Sequence, residues 1–134
     1  MAASAFAQLL SPGRIGPLEL RNRIIVTAMG VNLAEADGTC GERIRAFHEE
    51  QARGGVGLVN VGVAGVAWPA GGNEPGQVAI SEDRFIPGLA ALADAVHQCA
   101  SAIGAQHADG GDDFALLREH DGGAHLADLV EAER

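Results

Sequence analysis

The chain has 134 residues, 47% of them hydrophobic and 20% charged: enough apolar material for one packed domain and too little charge for a disordered one. A formal net charge of −9 excludes a generic binder of nucleic acid or of an anionic membrane, and no apolar run approaches the ~20 residues of a membrane span. Length by itself excludes a complete (β/α)8 barrel, which takes ~250 residues. Aromatics are 4%, with one Trp and no Tyr, so the core is built from Ala, Val, Leu and Ile. The opening MAASAFAQLL carries no positive region and does not read as a signal peptide. Cys40 and Cys99 form neither a disulfide framework nor a metal knuckle, and the expected compartment is the cytoplasm.

The pattern from the start to Gln106 alternates strands and helices. Pro17 to Asn22 has the period of a half-exposed strand, with Arg21-Asn22 at a turn, giving a hairpin. Ile24-Ile25-Val26 is a β-branched run of the kind buried on both faces, ending at Ala28-Met29-Gly30. Thr39 and Glu42 have the spacing of a capping box for a helix. Its inner face carries Ile44, Phe47 and Gln51, its outer face Arg43, Arg45, Glu49 and Arg53, and Gly54 suits its C-terminal cap. Val56 to Val63 is a second buried strand, and Gly65 to Pro75 a glycine-rich loop. Ser81-Glu82-Asp83 opens another helix, with Pro87 in its first turn and a stripe of Leu89, Leu92, Ala93, Val96, Ala100 and Ile103 before Gly104 stops it. Hairpin, strand, helix, strand, helix is the order of βαβ units on a parallel sheet.

Charge breaks the chain at Gln106. Residues 1 to 106 hold ten acidic and seven basic side chains; residues 107 to 134 hold eight acidic, two basic and three of the five histidines. The expected division is therefore 1–106 as the structured part and 107–134 as an acidic, partly disordered tail. Phe114 to Glu119 and Leu126 to Glu133 are expected to form short helical turns within it.

The stretch from Leu10 to Gly30, LSPGRIGPLELRNRIIVTAMG, resembles the opening of the old yellow enzyme family of NADH:flavin oxidoreductases, closest to its dienoyl-CoA reductase branch. Asp37-Gly38, Ala52 to Leu58 and Asp94 to His97 are similar to that family in the same order and at similar spacing. The resemblance covers residues 9 to 106. It implies part of a (β/α)8 TIM barrel: the N-terminal hairpin and the first two to three βα units, left as an open parallel sheet. It also implies FMN at the carboxyl ends of the strands, with NAD(P)H as reductant and an enone or enoyl thioester as the small-molecule substrate. The flavin-contact positions it implies are Thr27, Ala28, Met29, Gly30, Gly62 and Gln106. Small residues suit such contacts, because a planar ring needs close backbone approach. At Gly30 some members carry a Thr or Cys, a contact this chain lacks.

Gln106 is open to two readings. Gln106-His107-Ala108-Asp109-Gly110 is either a shortened form of the family's flavin-contacting turn or the start of unrelated sequence. Beyond it the family's His pair, its proton-donating Tyr, its flavin-contacting Arg and its phosphate loops have no counterpart, so no catalytic residue is assigned and the chain alone is expected not to turn over. A truncated, frame-shifted or rearranged family member is the leading expectation. The alternative is a non-catalytic fragment or interaction module that self-associates through open sheet edges.

Plainer readings stand beside these. Met29 at a strand end is also a common core filler. Gly54 to Gly57 precedes its strand, which argues against a dinucleotide fingerprint, and Gly71-Gly72 reads as a flexible turn. His107, Asp109, Asp112, Asp113, His120, Asp121 and His125 have metal-ligand chemistry without metal-ligand spacing, so no metal is assigned. Cys40 and Cys99 lack a neighbouring base, and His48 and His97 read as surface or boundary residues of their helices.

Overall fold

The computed structural model describes residues 6–72, 74–107 and 114–117. In chain order these form α1 (Ala7–Leu10), β1 (Gly13–Ile15), β2 (Leu18–Leu20), β3 (Ile25–Val26), α2 (Glu42–Arg53), β4 (Leu58–Ala64), a 3-10 turn (Asp83–Phe85), α3 (Ile86–Gln98), β5 (Ala102–His107) and β6 (Phe114–Leu117). β1 and β2 make the expected hairpin, and the remaining strands form one sheet in the order β3-β4-β5-β6.

β3, β4 and β5 are parallel, in register Ile25 to Leu58 to Ala102, with Val59 beside Ile103 and Val61 beside Ala105. Side chains alternate across a sheet, so the odd positions of β4 share a face with Val26, Ile103 and Ala105. That face carries the core. Val59, Val61, Ile103 and Ala105 are at most 1% exposed and pack with Ile44 and Ala52 of α2 and Leu89, Leu92, Ala93 and Val96 of α3. Phe85, in the 3-10 turn ahead of α3, is fully buried in the same cluster.

The amino ends of the strands are tied down by side chains. Asn22, 6% exposed, donates from Nδ2 to the Gly55 carbonyl at 2.7 Å and accepts from the Ile24 N–H at 3.0 Å. A Cβ on Gly57 would lie 2.9 Å from Asn22 Oδ1, so this close approach needs glycine. Ser101 Oγ donates to the Val56 carbonyl at 2.7 Å and starts β5 beside β4.

Several expectations are corrected. Ile25 is 44% exposed, so β3 is an edge strand and not one buried on both faces: it pairs with β4 alone among the described residues. Thr39 does not cap α2. Its N–H donates to Asp37 Oδ1 at 3.0 Å, and the N-cap is Gly41, against which Glu35 packs so closely that a Cβ would collide with it. Gly54 is the C-cap but keeps helical φ; Gly55, at φ 92°, takes the left-handed position. On α2 the buried residues are Ile44, His48 and Ala52, an i, i+4, i+8 stripe, so His48 is core and not surface, while Phe47 and Gln51 lie at its edge.

α3 ends at Gln98, not at Gly104. Ala100 turns the chain at φ 56°, and Ile103 and Gly104 belong to β5, because ladder pairing with Val59 and Asn60 outweighs the helical preference of an alanine-rich run. Phe114–Leu117 is a strand, antiparallel on β5 with Gln106 opposite Phe114, and not a helical turn. The sheet is therefore parallel over three strands and antiparallel at the fourth. Leu126 to Glu133 lies outside the described residues.

Candidate functional site

The carboxyl ends of β3, β4 and β5 bring the small residues together. After β3 the chain runs on until Gly30 bridges Gly62 of β4 in parallel. Gly62 is buried, and a Cβ there would collide with Ala28 Cβ, so the two segments touch backbone to backbone only because position 62 is glycine. On β5, Gln106 falls between the pairs Val61 with Ala105 and Ala64 with His107, level with Gly62 and Val63. Gly30, Gly62 and Gln106 thus form one row across three strand ends.

Thr27 and Gly30 are exposed, Ala28 and Gln106 are half-buried, and Met29 is 51% exposed. Met29 is therefore no core filler. Thr27, Met29 and Gly30 lie exposed around the buried Gly62, a low-relief surface of small residues over which only the Glu74 side chain reaches, at Gly30. The close approach that glycine allows at position 62, with Gln106 level with it on β5, is the feature of these strand ends that suits a planar ring.

Two residues at this end were not picked out from the sequence. Glu74, in the loop after β4, sits over Gly30: a Cβ added to Gly30 would lie 3.1 Å from Glu74 Oε2. Its own N–H donates to Gln77 Oε1 at 3.3 Å. Nothing local in a glycine-rich loop signals that placement, which comes from the loop folding back through Gly65 N–H to Val78 O at 2.7 Å and Ala34 N–H to Gly76 O at 2.9 Å. Asn60 did leave a signal, as the one polar side chain in the apolar run from Val56 to Val63. It stands in register with Gly104, on the sheet face turned away from the helices, and its buried Oδ1 has no partner among the described residues.

The remaining candidates lie elsewhere. His48, 2% exposed, meets Gln51 Oε1 through Nδ1 at 2.9 Å and packs edge-on to Phe47 at 5.1 Å, while its Nε2 has no partner among the described residues. Burial pulls its pKa below the ordinary 6.5, against the opposing Gln51 hydrogen bond, so the ring sits neutral in the core. Burial pushes the Cys40 thiol up to about 11, the reverse of an activated nucleophile. Asp37 is held below its ordinary value by the Thr39 backbone N–H, a turn contact on the surface. Of the His and Asp set from His107 to Asp121 and His125, only His107 falls among the described residues. Within these, no three His, Cys, Asp or Glu side chains group as metal ligands, and no helix is long and apolar enough to cross a membrane.

Three parallel strands, helices on one face and small residues at the carboxyl ends of the strands define an α/β protein of the kind that places its site at those ends. The comparison with known proteins agrees. The model of the NADH:flavin oxidoreductase / NADH oxidase family matches residues 8–131, and the chain belongs to that family. It is similar to the NADH oxidase of Thermoanaerobacter brockii, 40% identical over 98 residues, which are 73% of this chain and 15% of the relative. Among solved structures it is similar to a 2-naphthoyl-CoA reductase in complex with 2-naphthoyl-CoA, with TM-score 0.73 and 27% identity over 76% of this chain and 16% of that one. The old yellow enzyme from Trypanosoma cruzi gives TM-score 0.67 and 27% identity over 78% of this chain and 27% of that one. The chain thus spans about a sixth of the NADH oxidase and of the naphthoyl-CoA reductase.

Proposed function

We propose that this chain carries the first part of a (β/α)8 barrel and one side of an FMN site, in an oxidoreductase of the old yellow enzyme type. The observation that carries the reading is the Gly30–Gly62 bridge with Ala28 packed on Gly62, which presents exposed Thr27, Met29 and Gly30 on one shelf. Thr27, Ala28, Met29, Gly30 and Gly62 would hold one face of the ring, and Gln106 would meet its polar border. When bound, FMN supplies a two-electron relay between NAD(P)H and an activated alkene, an enone or an enoyl thioester. Family membership and the naphthoyl-CoA reductase likeness support that substrate class. The residues of the shelf bind and orient; none of them donates the proton, so the isolated chain is inactive. The motifs of the resemblance lie in residues 1–106, the family match runs on to residue 131 and β6 continues the sheet, and a cytoplasmic location belongs to the same reading.

Titration of FMN with the purified chain tests this. Saturable quenching of flavin fluorescence is expected, abolished by Gly30→Val, which fills the exposed shelf while circular dichroism stays unchanged. Equal quenching by both proteins, or by neither, would discard the shelf as the flavin site. NAD(P)H consumption with an enone by the FMN-loaded chain would overturn the inactivity.

The outer edge of β3 favours a second reading. It pairs with no strand but β4 among the described residues, and Ile25 on it is 44% exposed, so two copies or a completing chain would associate there. Sedimentation of the parent and an Ile25→Lys variant separates the readings. A dimer lost in the variant supports the edge contact; a concentration-independent monomer removes it.

A further inference from the structure

The hairpin end of the molecule, opposite the shelf, gathers three arginines that make no ion pair with a carboxylate among the described residues. An open groove of about 440 Å³ lies there, lined by Arg14, Arg21 and Arg23 together with Glu19, Pro12 and Leu20. Three of the chain's nine cations face one groove in a protein of net charge −9.

The three guanidinium groups are held in place by uncharged oxygens. Arg14 Nε donates to the Gly16 carbonyl at 2.8 Å, Arg21 NH1 to the Cys99 carbonyl at 2.7 Å, and Arg23 Nε to Ser11 Oγ at 3.2 Å. None of them pairs with a carboxylate among the described residues, in contrast to Arg53 with Glu49 and Glu50, and Arg84 with Asp37 and Glu82. Glu19 stands directly opposite Arg14 across the hairpin, yet Arg14 turns to Gly16 instead. A strap on the Cys99 carbonyl accounts for Arg21 alone. It gives no reason for Arg14 and Arg23 to line the same groove. Each guanidinium has five N–H donors and has used one here, so most of the fork remains for an anion. The planar guanidinium fork matches phosphate oxygens.

We propose that this groove binds a small phosphorylated molecule, its phosphate taken by Arg14, Arg21 and Arg23 and its organic part by Pro12 and Leu20. Glu19 leaves the groove with an excess of two positive charges, the complement of a phosphate dianion. The volume falls in the range of small-molecule sites, roughly 300–1,000 Å³, and exceeds what a bare phosphate fills. The site lies at the amino ends of the strands and is independent of the flavin reading.

Isothermal titration of the full chain with inorganic phosphate, adenosine 5′-monophosphate and adenosine tests it. Saturable binding of phosphate, tighter binding of the monophosphate and none of adenosine are expected. The double variant Arg14→Gln, Arg23→Gln, at two exposed positions that leave the Arg21 strap intact, should weaken phosphate binding about tenfold or more. Glu19→Gln should strengthen it, and added salt should weaken it. Circular dichroism of each variant reports that the fold is kept. Absence of saturable phosphate binding would overturn the proposal, as would equal affinity in the double variant. Adenosine binding as tightly as its monophosphate would overturn the phosphate's role, and phosphate binding as tightly as the monophosphate would overturn that of Pro12 and Leu20.

Discussion

The two faces of β4 meet different surroundings although their residues alternate along one strand. Val59 and Val61, toward the helices, are 0% and 1% exposed within a continuous cluster. On the other face, Asn60 keeps a buried Oδ1 without a partner among the described residues, and Ile25, beside Leu58, is 44% exposed. The helix face is a finished core that accounts for folding. On the opposite face Leu58 is buried as well, at 3%, as is Ala64 at the end of β4, at 0%, and exposure there is confined to Ile25 and to Thr27, Met29 and Gly30 beyond β3. The continuous core lies toward the helices, and the proposed shelf lies beyond the carboxyl ends of the strands.

Substitutions on the two faces put this contrast at risk. Leu92→Ala, at a fully buried position of α3, should cost about 2–5 kcal/mol in denaturant unfolding through lost burial and a cavity. Gly62→Ala should cost about 1–3 kcal/mol, because the new methyl has to displace Ala28, and it should also reduce FMN quenching. A smaller effect is expected from pH. His48 has a lowered folded pKa, so the unfolded chain binds its proton more readily; stability should be full above about pH 6.5 and fall as pH drops below it. A His48→Gln variant should lose that slope, and a slope that persists would place its origin elsewhere. The smallest change is Asn60→Leu, which removes a buried amide oxygen without a partner among the described residues and should alter stability by no more than about 1 kcal/mol in either direction. If Asn60→Leu costs as much as Leu92→Ala, the opposite face contributes to folding as strongly as the helix face and the contrast fails.

Legibility followed the range of the interaction. β4 and both long helices were visible as apolar runs and periodic stripes, because Leu58 to Ala64, Ile44 to Ala52 and Leu89 to Val96 each express their burial locally. Ala100 to Ile103 misled, since alanine is helix-favouring and only pairing with β4 turns the segment into a strand. His48 misled for a similar reason. Its ring is polar by composition, yet it occupies the position between Ile44 and Ala52 that faces the core. At the candidate site, Thr27 to Gly30 could be located as the end of a strand, whereas Glu74 over Gly30 could not, because its place depends on loop hydrogen bonds to residues forty or so positions away.

What the sequence determined by itself was the class and the direction: alternating strands and helices, a parallel start, and small residues at strand ends. These depend on side-chain periodicity and on the backbone freedom of glycine, both of which are local properties. Tertiary structure alone decided that Gly30 and Gly62 meet, that Ala102 to His107 join β4 as a strand and that Glu74 sits over Gly30. Each of those outcomes joins segments far apart in the chain through backbone pairing or close packing, and no short window of sequence contains both partners.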